Sequence, residues 1–135
     1  MTRTFILLTA TAALAACAPM ESDADFDPAA DAPPVRVVGE PRNCINRNLI
    51  RNSRVRSDYV IDFEMTGNRV YRSTLEIGCP RLGFERAFIY ETPTSQLCST
   101  EIIYVLEDFG GQVQRGAGCS LGDFVPVEYV EEGEG

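Results

Sequence analysis

From Tyr59 to Val130 the apolar residues recur with the spacing of strands, and that pattern favours sheet structure. Tyr59, Ile61, Phe63 and Met65 alternate with Val60, Asp62 and Glu64, which gives one strand an apolar face. Thr66-Gly67-Asn68 supplies a turn, and Arg69 to Ile77 returns with Tyr71, Leu75 and Ile77 on one face, completing a hairpin. Ala87 to Tyr90 is a short strand stopped by Thr92-Pro93. Ile102 to Leu106 is a continuous apolar run of the kind found in a buried strand, although Cys98 to Leu106 can also be drawn as a helix. Asp108 to Gly111 is a turn, Gln112 to Cys119 returns from it, and Asn43 to Asn52 has room for a helical turn. Phe124, Val125, Val127, Tyr129 and Val130 form a last strand, which Pro126 confines to an edge or a bulge. The expected fold class is all-β and mainly antiparallel, a small sandwich or barrel of about six strands with room for a short helix.

The composition narrows the chemistry. The chain has 135 residues, one domain's worth, and 44% hydrophobic content, enough for a packed core. It contains no His, so imidazole-based nucleophilic triads, imidazole metal ligands and histidine pH switches are excluded. All 12 basic residues are Arg, so Schiff-base chemistry and the phosphate-binding loop lysine are excluded as well. A net charge of −8 argues against nucleic acid as a partner. No cofactor is expected.

The amino terminus reads as an address. One Arg precedes an apolar run from Phe5 to Ala16, shorter than the roughly 20 residues that a membrane-crossing helix needs. The run closes with Leu14-Ala15-Ala16-Cys17 and gives way at once to polar sequence. This segment resembles the lipobox of bacterial lipoproteins. The resemblance implies a signal peptide over residues 1–16, cleavage before Cys17, diacylglycerol on its sulfur and a further acyl chain (palmitate or similar) on the new amino terminus. Several acyl chains make such an anchor permanent. Ala18, rather than an Asp, follows the cysteine, which in the lipoprotein sorting pathway implies the outer membrane, facing the periplasm.

Residues 17–41 read as a tether. Pro19, Pro28, Pro33, Pro34 and Pro41 remove backbone donors, and Glu21, Asp23, Asp25, Asp27 and Asp31 repel one another. Only Val35-Arg36-Val37-Val38 has the character of a docking edge strand. The globular body is expected over residues 42–130, with 131–135 as an acidic tail.

Cys44, Cys79, Cys98 and Cys119 remain for the body. An exported chain meets an oxidising compartment, so an even set of cysteines reads as two disulfides, and a body this small benefits from them. No close Cys pair or His favours a metal instead. Three pairings are open, and Cys79–Cys98 with Cys44–Cys119 is preferred because it closes the middle and ties the ends.

Two constellations invite a chemical reading. Arg42, Arg47, Arg51, Arg54 and Arg56 lie in a stretch without any acid, and they read either as a guanidinium patch for an anionic glycan or lipid or as partners of the body's own acids. The carboxylates of Asp58, Asp62, Glu64, Glu76, Glu101, Glu107, Asp108 and Asp123 are the remaining acid–base groups, and no spacing singles out a facing pair such as glycoside hydrolysis needs. Asp108-Phe109-Gly110 is a turn, and Phe84, Phe88, Tyr90, Tyr104 and Phe124 are expected in the core.

Cys44-Ile45, Cys79-Pro80-Arg81-Leu82, Leu97-Cys98 before Ile102-Ile103-Tyr104-Val105, and the ending Cys119-Ser120-Leu121-Gly122-Asp123-Phe124-Val125-Pro126-Val127 together resemble a family of small proteobacterial lipoproteins carrying a domain of unknown function. The resemblance implies an exported, cysteine-bridged body and carries over no activity and no catalytic residue; the chain is expected not to be an enzyme. The expected role is a binding or envelope-maintenance module, held by its lipid anchor near an envelope protein or an anionic glycan or lipid. The alternatives are an inhibitor of a basic hydrolase such as lysozyme, towards which the acidic charge would speed encounter, and a carboxylate-dependent cell-wall hydrolase.

Overall fold

Alternation along the central hairpin sets the architecture. The structure, a computed structural model, describes residues 26–131. β4 (Val60–Met65) and β5 (Arg69–Thr74) pair antiparallel with Phe63 opposite Tyr71, so Ile61, Phe63, Met65 and Tyr71 share one buried face. Gly67 and Asn68 close the hairpin at φ 81° and 60°, a left-handed conformation that glycine and asparagine tolerate best. β3 (Ile50–Val55) adds to β4, and β10 (Phe124–Tyr129) adds to β5. β1 (Val35–Val37) caps β10, giving a five-stranded antiparallel sheet in the order β1-β10-β5-β4-β3.

The opposing wall is smaller. β6 (Phe88–Tyr90), β8 (Ile102–Phe109) and β9 (Gln112–Ser120) form a three-stranded antiparallel sheet in the order β6-β8-β9. β2 (Cys44–Asn46) and β7 (Gln96–Cys98) form a separate pair. Phe63 is the centre of the core, with its ring edge-on to Phe124 at 5.5 Å and to Phe88 at 6.3 Å. Ile45, Leu75, Leu82, Leu97, Ile103, Val105 and Leu121 fill the space around it. One short helix, α1 (Leu82–Glu85), follows the loop after β5.

Among the described residues the fold is therefore the expected all-β, mainly antiparallel one, with ten strands in three open sheets and no closed barrel. The six strands read from periodicity are present as β4, β5, β6, β8, β9 and β10. Cys98 to Leu106 is not helical: it holds the end of β7, a turn and the start of β8. Asn43 to Asn52 holds β2, a 3₁₀ turn at Arg47–Leu49 and the start of β3. β1 lies in the segment read as a tether, where Val35-Arg36-Val37-Val38 has the character of a docking edge strand. There Val130 N–H donates to Pro34 O at 3.2 Å and Val38 N–H to Pro126 O at 2.9 Å. Covering the edge of β10 satisfies backbone groups that would otherwise stand unpaired. Pro126 accordingly sits in an interior strand rather than at an edge. Its missing N–H falls on the β1 side, where the three-residue ladder ends.

The disulfides join Cys44 to Cys98 and Cys79 to Cys119. The preferred pairing is therefore wrong, because strand register decides it: Cys44 lies directly opposite Cys98 in the β2–β7 pair. The turn before β10 explains the glycine there. A Cβ on Gly122 would lie 1.9 Å from Thr74 O, while Ser73 Oγ both accepts from Gly122 N–H and donates to its carbonyl.

Candidate functional site

The sheet face turned away from the core carries the charges. Asp62 on β4 is fully buried and takes Arg72 from β5 in a fork, Nε to Oδ1 at 2.7 Å and Nη2 to Oδ2 at 3.0 Å. Arg56 Nε donates to Oδ2 at 2.9 Å, and the Tyr129 hydroxyl donates to the same oxygen at 2.9 Å. Arg56 Nη2 in turn donates to the Tyr129 hydroxyl oxygen at 3.0 Å. Burial alone would raise the pKa of Asp62, but the bonds from Arg72, Arg56 and Tyr129 outweigh it and hold the carboxyl below its ordinary value. Burial, then the Asp62 bond and charge, raise the Tyr129 phenol above its usual range against the opposing pull of Arg56. This carboxylate is locked into a structural knot and is not placed for proton transfer.

The arginine stretch does not form one patch. Arg54 Nε pairs with Glu64 at 2.5 Å and Arg56 belongs to the Asp62 knot. Arg42 lies over the Tyr71 ring at 5.8 Å, and Arg47 reaches Thr92 O at 3.5 Å. Arg51 stands apart from these in a small cleft beside Arg69. Asp58 accepts Gly83 N–H at 2.7 Å and fixes the start of α1, Glu107 pairs with Arg81 at 3.4 Å, and Asp108 accepts Gly111 N–H inside its turn at 2.8 Å. Cys17, expected to carry lipid, lies outside the described residues. Among the described residues no helix is long and apolar enough to cross a membrane.

An opening of about 590 Å³ lies beside the Cys79–Cys119 disulfide. The loop Glu76-Ile77-Gly78 and Pro80 form one wall, and Ala117 to Leu121 form the other. Ile77 projects from the rim and is 81% exposed. Alternation alone places Ile77 on the buried face of the hairpin. β5 instead ends at Thr74, and Leu75 N–H turns back to Tyr59 O at 2.7 Å, so the face that Ile77 would have shared has ended. Gly78 presses against the Tyr59 ring, where a Cβ would come within 2.6 Å, and this fixes the loop that carries Ile77. β9 pairs only with β8, so the backbone groups along its other edge are unpaired among the described residues. Phe84 also leaves the expected core: it is 78% exposed, with the Arg81 guanidinium 5.2 Å from its ring centre.

No protein-family model matches the chain, and neither a curated protein nor a solved structure is similar enough to be matched with it.

Proposed function

We propose that the chain is an outer-membrane-anchored, periplasm-facing lipoprotein whose disulfide-bonded β body is a binding module for another envelope protein. The similarity of Leu14-Ala15-Ala16-Cys17 to a lipobox supports the anchor, and the two disulfides suit an oxidising compartment. The observation that carries the binding reading is the cleft beside β9, where an exposed isoleucine, an apolar wall and an unpaired strand edge meet. Such an edge recruits an extended segment by main-chain hydrogen bonds, and the neighbouring pocket takes one of its side chains. Glu76 at the rim and the net charge of −8 favour an apolar segment flanked by Lys or Arg.

A photoreactive residue at Ile77 of the full chain in living cells tests this directly. It is expected to form an adduct with an envelope protein, and the joined peptide is expected to be an apolar segment with a basic flank. The same residue at exposed Val38, on the opposite sheet, is expected to give none. No adduct at Ile77, or the same adducts from both positions, would remove the binding reading.

The anchor has a separate check. A Cys17→Ser chain is expected to lose its acyl mass and to pass into the soluble fraction. Retention in the membrane without acylation would overturn lipidation as the means of attachment.

A further inference from the structure

We infer that the cleft between Arg51 and Arg69 is a binding site for a phosphate group. It has a volume of about 200 Å³ and lies at the turn end of β3, β4 and β5, lined by Arg51, Glu64, Met65, Asn68, Arg69 and Val70. The backbone builds it at two irregular points. Pairing of β3 with β4 slips between Ile50 and Asn52, so Arg51 is the bulged residue and has no partner across the strand. A bulge of this kind re-aims a side chain. Arg69 opens β5 immediately after the left-handed pair Gly67 and Asn68.

The electrostatics point to an anion. Among the described residues, neither Arg51 nor Arg69 makes an ion pair, a side-chain hydrogen bond or a stacking contact with a ring. This holds in a chain with 20 acids against 12 arginines, where a partner is easy to supply. The one carboxylate in the cleft is already occupied: Glu64 receives Arg54 Nε at 2.5 Å and Asn52 Nδ2 at 3.4 Å. With Arg54 counted against Glu64, the two remaining guanidiniums leave a surplus of positive charge. A phosphomonoester carries about −1.5 to −2 near neutral pH and offers three acceptor oxygens, which suits two guanidinium forks and the Asn68 amide. The sequence-level arginine cluster contains Arg51 but not Arg69, because only the β3–β4–β5 pairing brings the two together.

Calorimetric titration of the purified full chain tests the site with two probes. Inorganic phosphate represents a soluble phosphate or phosphomonoester. Glycerophosphoglycerol, a lipid headgroup without acyl chains, represents a membrane surface. Saturable phosphate binding is expected, weakened at least tenfold in R51Q and in R69Q and unchanged in R86Q, which removes another arginine that makes no ion pair among the described residues. Binding of phosphate alone assigns the site to soluble phosphate-bearing ligands, and binding of both probes assigns it to a lipid surface. No saturable binding of either probe, or an equal loss in R86Q, overturns the site. None of these outcomes depends on the cleft at Ile77.

Discussion

Reduction of the two disulfides is expected to unfold the body at neutral pH without denaturant. The cross-links span 54 residues for Cys44–Cys98 and 40 for Cys79–Cys119, and the chain-entropy account assigns about 4 kcal/mol to a loop of either size. The two loops interleave, so together they restrain most of the unfolded chain from β2 to the end of β9. A domain of this size holds only about 5–15 kcal/mol in total, and a small core lies at the lower end of that range. Removing Cys79–Cys119 alone, as a paired alanine variant, is expected to cost about 3–4 kcal/mol, read as a lower urea midpoint with the native state still populated. The pairing can be checked by the same route. Cleavage after arginine places each cysteine on its own peptide, residues 43–47, 73–81, 87–115 and 116–135. Without reductant the first should travel with the third and the second with the fourth. A wild-type urea midpoint that survives reduction would show that the sheets suffice without the staples.

The strands were legible because their periodicity is local. Ile61, Phe63 and Met65 declare a face within five residues, and Gly67-Asn68 and Gly110-Gly111 declare the turns that return from β4 and β8. What sequence could not supply was pairing between distant segments. Cys44 faces Cys98 because β2 lies against β7, and neither three-residue strand carries a pattern long enough to announce itself. β3 was hidden for another reason. Its outward positions carry Asn52 and Arg54, and its irregular register at Arg51 breaks the alternation. The candidate sites follow the same division. Ile77 fits the buried face of a longer strand and becomes a rim residue only because β5 stops at Thr74. Arg69 looks like a solvated strand end until the hairpin sets it beside Arg51.

Replacing Asp62 with Asn is expected to destabilise the body by about 3–5 kcal/mol at neutral pH, the usual cost of stranding a buried charge. Asp62 has no exposed surface, and Arg72, its forked partner, is only 6% exposed. Loss of the carboxylate leaves Arg72 buried beside a second cation, Arg56, with a neutral amide between them. The acid branch of the stability curve gives an independent reading. The folded pKa of Asp62 lies below its ordinary value of 3.8, so the unfolded chain takes up a proton at this position before the folded chain does. Its contribution is therefore full above the unfolded pKa and is lost as pH falls through the depressed folded value. Wild-type urea midpoints should drop as pH falls below about 4, with part of that slope absent in D62N. The two readings separate a charge effect from a packing effect. An amide that merely packs badly would lower the midpoint equally at every pH, whereas loss of the carboxylate must also flatten the acid limb. A D62N midpoint equal to wild type at pH 7 would mean that both guanidiniums reach water once released, and that the knot on this face contributes no net stability.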